Sequence, residues 1–405
     1  MALMVLEGSG DSKRRDQRVG ARGASSLKVT DAFWYALLAF LVTGSTWGYT
    51  SDDIWYLIGT ALGVILGAVS ILSKKYSGRE LGLSCGMIVL SIIVALSSHS
   101  LTLLLTSVLV VSSKEMRLDA ILRAFLVVKA ASLISLIVFG LLGLVDVEAV
   151  SHYSALAGGT IVRQSVNGVA TNILHLGLFT LFVLLAALKQ ERLGFVSYLA
   201  MMAVNIVFYR CVSYSSAGIL VTGCAILLAM GVRYSGVVAS ALCRFGCFVV
   251  PLTVAFFLYT GYQFGGTGWI AELNHLMTGR IAYNHYWLTA IGPTLFGVNP
   301  AGAPAAFDNS VVYLTVGLGV FAAMAVLAGY FLAMRRLGRS RDVYLLLAVF
   351  MFYAFSMSES VLPSAVVNPS LFIVVAAISP GFYKSLEETT RMQTVETQPL
   401  AVPNN

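Results

Sequence analysis

The chain is 405 residues long; 58% are apolar, only 11% are charged, and the mean hydropathy is +0.84. Soluble domains average about 45–50% apolar and about 25% charged, so this composition excludes a soluble enzyme, a disordered chain and a secreted disulfide scaffold. The net charge of +7 does not call for nucleic acid, because basic residues in a membrane protein mark its cytoplasmic loops.

Residues 1–30 are polar and basic and contain no apolar run of signal-peptide length, so they read as a disordered cytoplasmic tail. Apolar stretches follow at 33–50, 54–73, 81–98, 101–113, 119–145, 171–188, 193–209, 213–231, 237–260, 311–334, 342–357 and 365–380. At roughly 20 residues per crossing, they predict an all-α polytopic domain over 31–383 with about twelve transmembrane helices. The 101–113 stretch is shorter than an ordinary span. A second tail, 384–405, closes the chain. Five cysteines (Cys85, Cys211, Cys224, Cys243 and Cys247) form no CxxC pair and read as small apolar fillers.

Alternating twelve spans from a cytoplasmic N-terminus puts 21 of the 26 Lys and Arg residues inside. These are Lys13, Arg14, Arg15, Arg18, Arg22, Lys28, Lys74, Lys75, Arg79, Lys114, Arg117, Arg123, Lys189, Arg192, Arg233, Arg335, Arg336, Arg339, Arg341, Lys384 and Arg391. Lys129 and Arg244 fall within spans or near their ends, and only Arg163, Arg210 and Arg280 remain outside. This split predicts that both termini are cytoplasmic. The five histidines fall in outer loops or at outer span ends, and the two long connections, 146–170 and 261–310, are also outside. Long loops in a compact fold are often functional, which directs attention to the outer membrane boundary.

Three arginines on three outer segments suit a diphosphate, because a guanidinium fork donates paired charge-assisted hydrogen bonds; the alternative is that each snorkels to lipid phosphate. The second loop adds an aromatic stretch with Tyr283, His285, Tyr286 and Trp287. Such rings serve either as interface anchors or as sugar-stacking surfaces. Asp308 and Asn309 stand at the mouth of the next span, where a carboxylate either caps a helix start or takes a proton from a hydroxyl. Glu359 lies in an otherwise uncharged outer turn, and acidic groups at membrane depth are paired or functional. No metal-ligand spacing, nucleotide loop or other cofactor motif is present in the sequence.

Four segments resemble the Wzy-type repeat-unit polymerases, within the wider group that includes the O-antigen ligases. Arg163, Ser165 and Asn172 are similar to an R-x-S-L-G-F-x-H-P-N stretch, and residues 212–220 to a T-x-S-R-x-G-L-L span entry. Gly279, Arg280 and Leu295-Phe296-Gly297 are similar to L-L-S-G-R…L-F-G, and Asp308-Asn309 opens the fourth segment. Glu359, nine residues before Asn368-Pro369, resembles a closing T-E…N-P feature. The ordered set spans 163–369, half of the chain.

There are departures. Tyr214 fills the slot of the family's second-motif arginine, with Arg210 one helical turn earlier; Ala170 and Thr171 replace His-Pro, with His175 nearby. Related ligases carry His before the Asn where this chain has Asp308, which tilts the resemblance toward a polymerase.

The resemblance implies metal-independent glycosyl transfer between undecaprenyl-diphosphate-linked oligosaccharides on the outer face of the cell membrane. No cofactor and no nucleic acid are needed, and membrane lipids, a flippase and a chain-length regulator of the same pathway are the implied partners. Arg163, Arg210 and Arg280 would bind diphosphate, Asp308, His285 and Glu359 are candidate bases in that order, and Asn172, Tyr214 and Asn309 would position substrate. A ligase, or a transporter or flippase for lipid-linked sugars, is the alternative.

Overall fold

A computed structural model describes residues 29–49, 53–154, 159–189, 192–303 and 307–383. Both expected tails lie outside the described residues. The helices are α1 Val29–Thr46, α2 Ile54–Ser73, α3 Gly78–Ser98, α4 Thr102–Ser112 and α5 Leu118–Leu141. After a hairpin of β1 Val147–Ser154 and β2 Gly159–Val166 come α6 Thr171–Lys189 and α7 Phe195–Phe208, which ends in a π-turn at Tyr209–Ser213. The chain continues through α8 Ser216–Tyr234, α9 Gly236–Phe245, a 3₁₀ turn Gly246–Phe248 and α10 Val249–Tyr262. Short helices α11 Gly268–Leu276, α12 Arg280–Tyr286 and α13 Ser310–Val312 precede α14 Val320–Ser340, α15 Val343–Phe355 and α16 Ser370–Ile378.

Among the described residues, nine helical segments are long and apolar enough to cross a membrane, and α4 and α15 are shorter apolar helices. The protein is therefore a polytopic, membrane-embedded helical bundle. Its helices leave many large apolar side chains exposed, such as Leu72, Leu96, Val196 and Leu252, as expected where lipid rather than water is the outer solvent.

Packing inside the bundle is dense. The Phe179 ring on α6 lies 5.2 Å from Phe352 and 4.7 Å from Phe355 on α15. This core seats α6 against α15 and fixes the height of the α6 N-terminus relative to the segment that follows α15.

Hydrogen bonds sort the helix ends into two faces. On one, Lys74 Nζ donates to the carbonyls of Ser112 and Lys114 at 2.8 and 2.6 Å, Lys114 pairs with Glu80 at 3.0 Å, and Ser113 bonds Tyr383 at 3.0 Å. On the other, Asn167 donates to the Trp47 carbonyl at 2.7 Å, Ser97 to the Gly297 carbonyl at 3.0 Å, and Ser100 bonds Tyr313 at 3.2 Å. The hairpin and the 263–319 connection lie at this second end.

Several expectations change. The 146–170 loop is an antiparallel hairpin in which Val147 opposes Val166 and Val150 opposes Arg163, a small addition to an otherwise helical fold. The 261–310 connection contains helices, and the span expected at 311–334 is broken. Its first turns are α13 and the π-turn Tyr313–Gly317, and Gly319 at φ +93° then restarts the chain as α14. All five cysteines are free: Cys247 is buried, Cys243 is half-buried, and Cys85, Cys211 and Cys224 are exposed.

Candidate functional site

The connection between α15 and α16, residues 356–369, has no regular structure, yet Leu362, Ala365, Val366 and Asn368 within it are buried. Irregular backbone persists in an apolar bundle only if its polar groups find partners in the protein. Here Thr106 on α4 donates to the Pro363 carbonyl at 2.7 Å and accepts from the Ala365 amide at 2.9 Å. Asn368 donates to Tyr330 at 2.8 Å and to the Leu362 carbonyl at 3.2 Å.

The segment opening the broken helix is stitched to the same connection. Asn309 Nδ2 donates to the Met357 carbonyl at 2.7 Å, while its Oδ1 accepts from the amides of Val311 and Val312 at 2.8 and 3.2 Å. Ser310 Oγ donates to the Glu359 carbonyl at 2.6 Å and accepts from the Leu362 amide at 3.1 Å. The cap expected of Asp308 is thus supplied by Asn309, one residue on, because its amide can donate and accept at once.

This scaffold presents Glu359. Asn172 Nδ2, in the first turn of α6, donates to Glu359 Oε1 at 2.7 Å, and Asn172 Oδ1 accepts from Ser215 Oγ at 2.6 Å. Ser215 in turn caps α8 by accepting from the Gly218 amide at 3.0 Å. From the far side Arg280, at the start of α12, pairs with Glu359 Oε1 at 3.3 Å and donates to the carbonyls of Ser358 and Asp308. Burial raises the Glu359 carboxyl to about 7; the nearby Arg280 charge opposes that rise and Asp308 adds to it. The outcome is a carboxyl that gains or loses a proton near neutrality, with one amide and one guanidinium directed at it.

The other sequence candidates divide. Asp308 is half-buried beside the cluster. Tyr214 adopts the left-handed conformation at φ +47° between the π-turn and α8. Arg210 is exposed in that π-turn. Arg163 is on β2, whose described backbone packs against the π-turn. Among the arginines with described side chains, Arg280 is the one the structure brings to Glu359.

His285 sits apart, its Nδ1 bonded to the Gly261 carbonyl at 2.8 Å and its ring 5.7 Å from Phe264. A carbonyl only accepts, so Nδ1 carries a proton and Nε2 is the acceptor of the neutral ring. Among the described residues, no three His, Cys, Asp or Glu side chains gather as a metal site would require.

Sequence reasoning gave no role to Ser310, Thr106, Asn205 or Ser213. They are small polar residues inside apolar runs, and their partners lie on distant segments. A scan against family models and searches of curated proteins and of solved structures found no match to the chain.

Proposed function

We propose that this chain is a Wzy-type polymerase, joining lipid-linked oligosaccharide repeat units at the end of the bundle that carries Glu359. One observation carries the reading. Asn172, Ser215, Arg280, Asp308-Asn309 and Glu359 come from every segment that bears the family resemblance, and they meet in one hydrogen-bonded cluster. Segments up to 187 positions apart have no packing need to place their polar side chains together.

In this reading Glu359 is the base, ahead of Asp308. It accepts the proton of the acceptor sugar hydroxyl as that oxygen attacks the donor's anomeric carbon. The bond from that carbon to the lipid diphosphate breaks, and the diphosphate leaves with the electron pair. A base supplies about a hundred- to ten-thousand-fold in rate, and the leaving diphosphate needs cationic donors. Arg210 has an exposed side chain close to Ser215 in sequence, Arg163 lies on the strand packed against its turn, and Arg280 holds the carboxyl and its backbone in place.

The orientation follows from charge. The opposite end carries Lys74, Lys114, Arg117, Arg336 and Arg341, so in this reading it is the cytoplasmic one. The test is polymerisation by the purified protein in lipid vesicles supplied with polyprenyl-diphosphate-linked repeat units. A ladder of repeats supports the reading. Transfer only to a different acceptor marks a ligase, and movement of substrate across the bilayer without joining marks a flippase.

A further inference from the structure

We propose that His175 is a positioning residue of this site, holding Ser215 and Asn172 in the arrangement that presents Asn172 to Glu359. The proposal rests on the reading of Glu359 as the working carboxyl.

His175 lies on α6, three residues after Asn172 and so on the same side of that helix. Its Nδ1 is 2.7 Å from Ser213 Oγ and its Nε2 is 2.8 Å from Asn205 Oδ1. Asn205 Nδ2 donates to the Ile219 carbonyl at 3.1 Å, which fixes that amide with its oxygen toward the ring. Nε2 therefore carries the proton, and in the neutral ring Nδ1 accepts from the Ser213 hydroxyl. His175, Asn205, Ser213 and Ser215 are all fully buried. Gly218 leaves room for the ring, since a Cβ there would overlap it, and Phe208 meets the ring edge-on at 5.5 Å.

Between Ser213 and Ser215 the chain turns at Tyr214 in the left-handed region, which costs a non-glycine residue energy and persists only when its surroundings impose it. The surroundings here are the bond from the Tyr214 amide to the Tyr209 carbonyl at 2.9 Å and two side-chain hydrogen bonds from α6. His175 holds Ser213 on one side of the corner, and Asn172 holds Ser215 on the other. Releasing His175 frees the corner, moves Ser215, and withdraws the amide that Asn172 donates to Glu359. The charged groups facing Glu359 are Arg280 and Asp308, and neither is touched by this change.

The experiment follows Glu359 directly. In the full chain in lipid bilayers, the carboxyl C=O infrared band that disappears in Glu359→Gln is titrated against pH. His175→Leu and Ser213→Ala should raise its midpoint by about one unit, the size expected for a lost hydrogen bond to a carboxylate. His175→Asn keeps an oxygen in reach of Ser213 and should restore the wild-type midpoint. Thr180→Val removes a buried hydroxyl bonded only within α6 and should leave it unchanged. If His175→Leu does not insert, Ser213→Ala, which loses a single hydroxyl, decides the matter. A wild-type midpoint in Ser213→Ala, or an equal shift in Thr180→Val, overturns the proposal. The titration needs no turnover, so shifted midpoints in the variants beside a wild type that makes no polymer would refute the polymerase reading and leave the positioning intact.

Discussion

Arg280 and Glu359, 79 positions apart, form an ion pair with side chains only 12% and 13% exposed. A buried pair is weak evidence of stability, since desolvating both charges offsets much of their attraction. The balance is visible here: burial outweighs the guanidinium, and the Glu359 carboxyl sits near 7 rather than in the usual carboxylate range. The pair is better read as a tuned proton acceptor than as a brace.

The tuning makes activity and stability respond oppositely to pH. In the proposed reading transfer requires the carboxylate, so its rate should rise as pH passes upward through about 7. The folded carboxyl titrates above its unfolded value of 4.5. Its contribution to stability is therefore full below that value and is lost as pH rises through about 7. Thermal unfolding of the wild type and Glu359→Gln between pH 4 and 8 checks the sign: Gln should be relatively more stable at pH 8 than at pH 5.

Asp308 adds a negative charge that raises the Glu359 carboxyl. Removing it in Asp308→Asn should shift the acid limb of the rate profile to lower pH and leave the rate at pH 8 within a few-fold of wild type. A drop of about a hundredfold or more at pH 8 would transfer the base role to Asp308.

Arg280→Lys keeps the charge but not the fork that reaches Glu359 and the carbonyls of Ser358 and Asp308 together. Insertion should survive, and polymer yield at neutral pH should fall by on the order of a hundredfold, as expected when a reacting group shifts by about 1 Å. Gel profiles at matched protein abundance measure this.

Gly297 at φ +92° and Gly319 at φ +93° bring two backbones together where the 263–319 connection packs on the break before α14. A Cβ at Gly297 would collide with the Gly317 carbonyl, and one at Gly319 with the Gly297 amide. Either Ala variant combines left-handed strain with overlap and should lose about 2 kcal/mol or more, seen as a lowered unfolding temperature.

Much of the helical layout was legible because burial in lipid demands long apolar runs. The 54–73 and 171–188 stretches match α2 and α6 within a residue. The hairpin was not, since a search for spans passes over eight-residue strands such as Val147–Ser154. The break at Gly317–Gly319 was hidden because its flanks are apolar on both sides. At the site, resemblance singled out Asn172, Arg280, Asn309 and Glu359, but not their bonding. The Asn172–Glu359 contact crosses 187 positions and leaves no trace in periodicity. His175 looked like a stand-in for a missing histidine, and only the positions of Ser213 and Asn205 show what it holds.

Orientation is open to chemical labelling. Ala301 is exposed in the connection before the broken helix, so Ala301→Cys should react with a membrane-impermeant maleimide added outside intact cells. Protection until the cells are opened would reverse the assignment of the two faces.

The most direct measurement is the product made by Glu359→Gln. Gln keeps the side chain's shape and its bond from Asn172 but accepts no proton. In vesicles with lipid-linked repeat units, the account predicts normally inserted protein, substrate left as single units, and a rate at least a hundredfold below wild type. A full-length polymer ladder from Glu359→Gln at the wild-type rate would contradict it.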